Sequence, residues 1–380
     1  MNMKKIVFNN PFFFNDFKKN LTSIFKSKIK ETSGGKQYFK KCSYFLEKNL
    51  KAKKAVITNS CTSALEISAQ LIDVKNGDEI IMPSYTFVST ANAFVLRGGV
   101  PVYVDIKREN LNIDEKLIEK AITKKTKAIV VVHYAGVPCE MDTIKKIAKK
   151  YNLYLIEDAA QAIFSKYKNQ YCGTIGDIGC LSFHETKNFT SCEGGAILIN
   201  NKKFEKKLSI ITHKGTDREY FNKNLRKYYS WVGLGSSHIP SEITCAVLYS
   251  QFQNYKKIIN SRKVIWLDYQ KHLKNLRKDI VLDQIGKIDH KDQNYHIYYL
   301  ILKNKKIRDT IIEKLGKIGI LAPFHYIPLH TTTMGKKFRR KNKLNVSEEI
   351  SERIIRLPIW IGVNQSYIIK SLKKIINKFD

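Results

Sequence analysis

Between about residues 54 and 200 the chain alternates short runs of β-favouring apolar residues with stretches of helical period, and that alternation leaves few folds open. Residues 55–58, 79–82, 102–104, 128–132 and 153–156 read as strands. Helices are predicted between them: one opening near Thr62, then 87–96, 114–121 and 141–150. Such alternation builds βαβ units, so the expected class is α/β, a mostly parallel sheet with helices on both faces. Ligands of these sheets bind beyond the carboxyl ends of the strands. Asp158 and the Cys61–Thr62 turn both fall at such ends.

Further on, Val232-Gly-Leu-Gly-Ser-Ser-His238 leads into a helix predicted over 241–255. A strand at 295–302, a helix at 309–315 and a terminal helix at 367–378 then form an α+β pattern of their own. A chain of 380 residues has room for about two domains. The expected division is a large domain at 1–250 and a smaller C-terminal α+β domain at 251–380.

The formal net charge of +33 raises nucleic acid or an anionic membrane as a partner. The basic residues, however, run from Lys4 to Lys378 without a nucleic-acid motif, so neither partner is expected. The one dense cluster follows Gly335 (Lys336, Lys337, Arg339, Arg340, Lys341, Lys343) and reads as a mobile basic loop. Positive potential of this kind still helps to collect an anionic substrate. Seven cysteines without any Cys-x-x-Cys spacing argue against a disulfide framework and a zinc site, and no metal is expected. Asn9, Asn10 and Pro11 interrupt the first apolar run before it reaches signal-peptide length, and no run approaches the ~20 apolar residues that span a bilayer. The expectation is a soluble, cytoplasmic protein.

The residues that carry chemistry centre on Lys187, in Ser182-Phe-His-Glu-Thr-Lys-Asn188. A lysine in a polar loop is ordinarily a solvated charge. This one follows Asp158, which closes an apolar run, and precedes the Gly194-Gly195 pair. A lysine that links covalently to pyridoxal 5'-phosphate, and an acid that keeps the pyridine nitrogen protonated, are what that cofactor needs. Asp158 would otherwise be an N-cap, but a charge at the end of an apolar strand calls for a specific partner. Asn59-Ser-Cys-Thr-Ser-Ala-Leu65 is either a plain N-cap or a phosphate cradle of free N–H groups and hydroxyls. Phe87 either stacks on the cofactor ring or packs in the core. His184 is a structural hydrogen-bonder or a contact to substrate; His325, Tyr326 and His330 lie where the small domain would close over a cleft.

Taken together these blocks resemble the DegT/DnrJ/EryC1 family of sugar-nucleotide aminotransferases, enzymes of the fold type I pyridoxal phosphate class. The resemblance runs from Gly34-Gly35-Lys36 to Arg356-Leu357-Pro358 and includes Met82-Pro-Ser-Tyr-Thr-Phe87, His133-Tyr-Ala-Gly136 and Gly235-Ser-Ser-His-Ile-Pro-Ser-Glu-Ile243. It implies that Lys187 carries the cofactor, that Asp158 pairs with the pyridine nitrogen, and that Gln161 lies against the ring's 3-oxygen. Cys61, Thr62 and Ser182 match phosphate-binding positions. Ser237 matches a position that reaches the phosphate from a partner subunit, which implies a homodimer with shared active sites. The blocks are most similar to a subgroup that uses L-glutamate to aminate the C4 ketone of a dTDP-4-dehydro-6-deoxy-hexose, giving dTDP-4-amino-4,6-dideoxygalactose for surface glycans. Other sugars or regiochemistries within the family are the alternative. A dehydratase of the same fold would carry His in place of Lys187. Two positions depart from the family pattern: Ala162 and Cys192 each stand where Gly is usual, and Cys192 is strained if that position needs φ > 0.

Overall fold

The computed structural model describes residues 5–27, 31–222, 224–225, 227–285, 292–338, 340 and 343–379. Among the described residues nine strands precede residue 200: β1 Lys54–Thr58, β2 Glu79–Pro83, β3 Val100–Val104, β4 Thr126–Val132, β5 Tyr154–Asp158, the short hairpin pair β6 Lys166–Tyr167 and β7 Gln170–Tyr171, β8 Ile178–Ser182 and β9 Gly195–Ile199. Seven of them form one sheet in the order β1-β9-β8-β5-β4-β2-β3. All pairings are parallel except the two made by β9, which runs against both β1 and β8. The sheet is thus α/β and mostly parallel, as its alternating sequence predicts.

Burial explains why these runs are strands. Residues 128–132 are all buried, because helices cover both faces of the sheet. Helix Met141–Lys150 buries Met141, Ile144, Ile147 and Ala148 and turns its lysines outward. Each large apolar side chain sealed in this way contributes about 1.5–3 kcal/mol. Strands β8 and β9 escape the sequence pattern. β8 reads Ile-Gly-Cys-Leu-Ser, with three residues of weak strand preference, and owes its conformation to neighbours on both sides.

Helices Asp16–Lys26 and Gln37–Leu50 pack on helix Glu242–Gln253. The Glu242 carboxylate accepts from the backbone N–H groups of Lys36 (3.0 Å), Tyr38 (2.5 Å) and Phe39 (3.2 Å), which caps the start of the second helix. The helix predicted over 241–255 stops at Gln253, and a separate one runs Tyr255–Leu273.

A second, antiparallel sheet follows: β10 Val281–Gln284, β11 Tyr298–Leu302 and β12 Ile354–Leu357. The strand expected from residue 295 begins only at Tyr298, because Tyr295 sits at φ +57°, outside the strand region. Helices Lys305–Lys317, Asn345–Arg353 and Gln365–Asn377 accompany this sheet. Residues near the N-terminus join the same side: Ile6 donates to Gly319 O at 2.8 Å and accepts from Leu321 N at 3.0 Å.

The basic cluster departs from its expected mobile loop. Lys336 and Lys337 lie in a 3-10 turn, Gly335–Phe338, where a Cβ on Gly335 would stand 1.8 Å from Leu329 O. Arg340 pairs with Glu79 at 2.5 Å. Arg339 and Lys341 lie outside the described residues. All seven cysteines are free. Among the described residues there is no metal-ligand cluster, and no helix is long and apolar enough to cross a membrane.

Candidate active site

At the carboxyl ends of β1 and β8, Thr58 and Ser182 flank Gly195 in register. A Cβ on Gly195 would lie 2.4 Å from Cys61 N and 2.4 Å from Ser60 C, so only glycine lets the start of β9 rest against the helix Cys61–Leu71. Ser60 caps that helix, its Oγ accepting from Ser63 N at 3.0 Å. The N–H groups of Cys61 and Thr62 have no such acceptor among the described residues. The Thr62 hydroxyl meets that of Ser89 at 2.8 Å, in the first turn of helix Val88–Val95. Two helix starts therefore converge, with Ser182 beside them, on one point that favours an anion. In the 59–65 segment Ser60 is the N-cap, and the next two N–H groups remain free. Burial pushes the pKa of the Cys61 thiol well up, so that side chain is a thiol rather than a thiolate.

Two adjacent acids end β5 and face opposite sides of the sheet, as the period of two requires. Glu157 is fully buried, and its carboxylate accepts from Gly173 N, Ile175 N and Gly176 N at 2.6–2.7 Å. It also meets His133 Nε2 at 2.9 Å, while His133 Nδ1 accepts from Cys139 N at 3.1 Å. Every lone pair is used, so Glu157 is a structural acid. Replacing it by alanine strands three buried N–H groups and should destabilise the fold by about 3 kcal/mol in urea unfolding. A change below about 1 kcal/mol would mean those groups find other acceptors.

Asp158 points the other way. It is buried, accepts from the Thr90 hydroxyl at 2.7 Å and from Ala160 N at 3.1 Å, and Lys187 is among the charges acting on it. Burial raises its pKa, and these contacts oppose the rise. Lys187 sits in a turn closed by its own N–H to His184 O at 2.9 Å and is half-buried. Burial lowers the pKa of its ammonium, and the Arg356 charge adds to the effect. His184 is occupied within the same loop: Nδ1 meets the Thr186 hydroxyl at 2.9 Å and Nε2 lies 3.4 Å from Glu193.

Cys192 adopts φ +72° and is exposed, which is the conformation expected of a glycine position. Cys192→Gly should therefore raise stability by about 0.5–1 kcal/mol, the relieved strain being partly offset by chain entropy. An unfolding midpoint equal to or below that of the parent protein would contradict this.

The opposite wall is aromatic. Gln161 accepts from Ala135 N through Oε1 at 2.7 Å, which directs Nε2 to the Tyr326 hydroxyl at 2.9 Å. Tyr134 donates to His325 O at 3.0 Å, and Tyr85 donates to the same carbonyl. Phe87 is 54% exposed with its ring 6.1 Å from that of Tyr326, so it is not a packed core residue. Burial, with the Arg356 charge, lowers the His325 pKa to about 4. Its Nδ1 accepts from Arg356 Nη1 at 2.9 Å. His330 lies elsewhere: its Nδ1 meets the fully buried Ser84 hydroxyl at 2.6 Å and its Nε2 meets Glu348 at 2.9 Å, a staple between β2 and the second sheet's helices. Ser237 is exposed, and its carbonyl accepts from Asn59 Nδ2 at 3.1 Å. Thr90, Ser89, Tyr134 and Arg356 complete this cleft without having stood out in the sequence. A Ser or Thr at the first turn of a helix following a strand end was the signal available for the first two.

Three comparisons bear on these features. The sequence profile described as the DegT/DnrJ/EryC1/StrS aminotransferase family matches residues 15–377. The spore coat polysaccharide biosynthesis protein SpsC of Bacillus subtilis is 32% identical over 288 residues, covering 73% of each chain. Among solved structures, the Helicobacter pylori aminotransferase PseC, involved in biosynthesis of pseudoaminic acid, superposes with a TM-score of 0.90 at 26% identity, covering 99% of this chain and 100% of its own. The putative sugar aminotransferase Spr1654 of Streptococcus pneumoniae, solved in a pyridoxal phosphate form, gives 0.88 at 25% identity and covers 99% of both chains.

Proposed function

The chain belongs to the DegT/DnrJ/EryC1/StrS aminotransferase family, whose cofactor is pyridoxal 5'-phosphate, and from that premise we propose that it transfers an amino group from L-glutamate to the C4 ketone of a dTDP-4-dehydro-6-deoxy-hexose. The product would be dTDP-4-amino-4,6-dideoxygalactose, a building block for surface glycans. The observation that carries this reading is the placement of Asp158 and Lys187 beside a cradle formed by two helix starts. The cradle, the glycine at 195 and the buried acid fit a phosphorylated, protonated pyridine, and the electron sink is the chemistry the cofactor supplies when bound.

In this reading Cys61 N–H, Thr62, Ser89 and Ser182 would hold the phosphate, Asp158 would hold the ring nitrogen's positive charge, and Gln161 and Phe87 would contact the ring. Lys187 carries the cofactor between turnovers. Once released, its amine takes the proton from the donor's α-carbon and returns one on the far side of the transfer. Burial lowers the pKa of its ammonium, the direction in which that role needs it to move. Tyr326, His325 and His184 line the substrate side, with the smaller unit from about residue 251 closing over it. The names of SpsC, for spore coat polysaccharide biosynthesis, and PseC, for biosynthesis of pseudoaminic acid, support a sugar as the acceptor. A lysine at 187 weighs against a dehydratase.

Release of 2-oxoglutarate from L-glutamate and a dTDP-4-dehydro-6-deoxy-hexose tests the proposal. Product with a different ketosugar only would move the assignment elsewhere within the family, and no product with any ketosugar would overturn it.

We also infer a homodimer with shared sites. Leu225, Tyr228, Trp231 and Leu234 are each more than 60% exposed in one stretch of chain leading to Ser237, an apolar band that a second copy would cover. Co-expressed Lys187→Ala and Ser237→Glu proteins should regain up to about half of the sites per mixed dimer, because both lesions fall in one site. Verified heterodimers that stay inactive would sink the shared-site arrangement.

A further inference from the structure

Asn294 lies a few residues before β11, is 2% exposed, and bonds to three segments of the cleft at once. Its Nδ2 donates to Gln161 O at 2.9 Å and to Ile163 O at 3.0 Å. Its backbone N–H donates to Ser165 Oγ at 3.1 Å, and that hydroxyl donates in turn to Gly136 O at 2.6 Å. Its carbonyl accepts from Asn188 Nδ2 at 2.8 Å, and Asn188 directly follows Lys187. The remaining Oδ1 is buried with no hydrogen-bond partner, and a Cβ on Gly136 would stand 2.1 Å from it. Only glycine at 136 therefore leaves room for this amide. An orphaned buried oxygen is destabilising, so the other bonds of Asn294 must outweigh it.

Asn188 is fixed from a second side. With Nδ2 committed to Asn294 O, its Oδ1 accepts from His296 Nδ1 at 2.8 Å, which makes Nδ1 the protonated nitrogen of that ring. Burial, with the Lys187, Arg262 and Arg356 charges, holds the His296 pKa well below the usual histidine range, so the ring is neutral. The backbone that carries both residues is clamped by Arg262, whose Nε donates to Tyr295 O at 3.2 Å and Nη2 to His296 O at 2.7 Å. Residues 294–296 thus form a bar held along its length, with the Gln161 segment on one side and the Lys187 loop on the other.

We propose that Asn294, with His296, is a positioning residue that sets the spacing between the Lys187 loop and the Gln161 segment, and so fixes where the lysine amine meets the cofactor. This rests on the cofactor reading given above. Asn294 acts through Asn188 on the lysine side. On the other side it holds the Gln161 backbone, while Ala135 N and the Tyr326 hydroxyl hold the Gln161 side chain. A misplacement of about 1 Å, even from a residue away from the reacting atoms, slows a reaction about 100-fold.

The test takes the full chain in parent, Asn188→Ala, His296→Leu, His296→Asn, Asn294→Ala and Asp105→Ala forms, freed of cofactor and then reloaded with pyridoxal phosphate. Asp105→Ala is the stability control: it removes the acceptor of Val346 N and Ser347 N, at the start of a helix of the smaller unit. Three quantities are read: the rate at which borohydride-trapped label builds up on the Lys187 peptide, the pH midpoint of the bound cofactor's visible absorbance, and urea unfolding of each cofactor-free protein. Asn188→Ala, His296→Leu and Asn294→Ala should form the link on the order of 10-fold more slowly or worse. Their midpoints should move by on the order of half a pH unit or more. His296→Asn, whose amide nitrogen falls where Nδ1 stood, should restore most of the rate. Asp105→Ala should lose stability while rate and midpoint stay at the parent's. Parent-like rates and midpoints in Asn188→Ala and His296→Leu overturn the proposal, as does a loss in Asp105→Ala that matches theirs at equal stability. If Asn294→Ala fails to fold, those two variants decide. A parent protein that puts no label on Lys187 overturns the cofactor reading instead, which is separable because it shows before any substitution is made.

Discussion

Lys187→Ala is expected to lose transamination by at least ~10⁴-fold, since it removes both the covalent link to the cofactor and the group that moves the proton. The protein should still fold and still retain pyridoxal phosphate without a covalent bond. The helix starts at Cys61 and Val88, the Ser182 hydroxyl and Asp158 do not depend on the lysine's side chain. Borohydride treatment followed by peptide mapping should fix the cofactor to the peptide containing Lys187 in the parent protein and to none in the variant. Label on another lysine, or an alanine variant that turns over at a rate near the parent's, would remove Lys187 from this role.

Asp158→Asn keeps the shape and removes the charge. The amide oxygen can still accept from Ala160 N and the amide NH2 can donate to the Thr90 hydroxyl, so the fold should survive. The amide cannot hold a protonated ring nitrogen, and the half-reaction with glutamate should slow about 10³-fold, roughly 4 kcal/mol in the barrier. Single-turnover absorbance measures this directly. A rate near the parent's would mean that a different group supplies the positive ring with its counter-charge. The contrast with Glu157, one residue earlier, is the control: its loss should cost stability first.

Much of the large sheet was legible because its strands are apolar throughout and its helices amphipathic; β2, β4 and β5 needed nothing beyond that pattern. The acid at the end of β5, the lysine loop and the Ser-Cys-Thr helix start were visible for a related reason: each puts polar or charged residues where an apolar strand stops. β8 was not visible, since Gly179, Cys180 and Ser182 give little strand preference and its conformation comes from pairing. The boundary at Tyr295 depended on a left-handed residue that its side chain does not announce. Arg356 lies in a block that carries the resemblance, but nothing in the sequence shows that it is buried against His325. The place of His330 was not legible, because a histidine between two apolar segments is as readily a buried hydrogen-bonder as a ligand.

The placement of β9 bears on how the molecule comes into being. Among the described residues β1 has only β9 as a sheet neighbour, so residues 54–58 must wait for residues 195–199 to leave the ribosome before they pair. At ordinary synthesis rates that delay is ~7–28 s, during which an early strand stays unpaired at its edge. The helix start at Cys61 rests on Gly195, so the anion cradle cannot be finished before the last strand of this sheet is inserted. Cofactor capture thus falls late in biogenesis, after the sheet is closed, and cannot serve as its template.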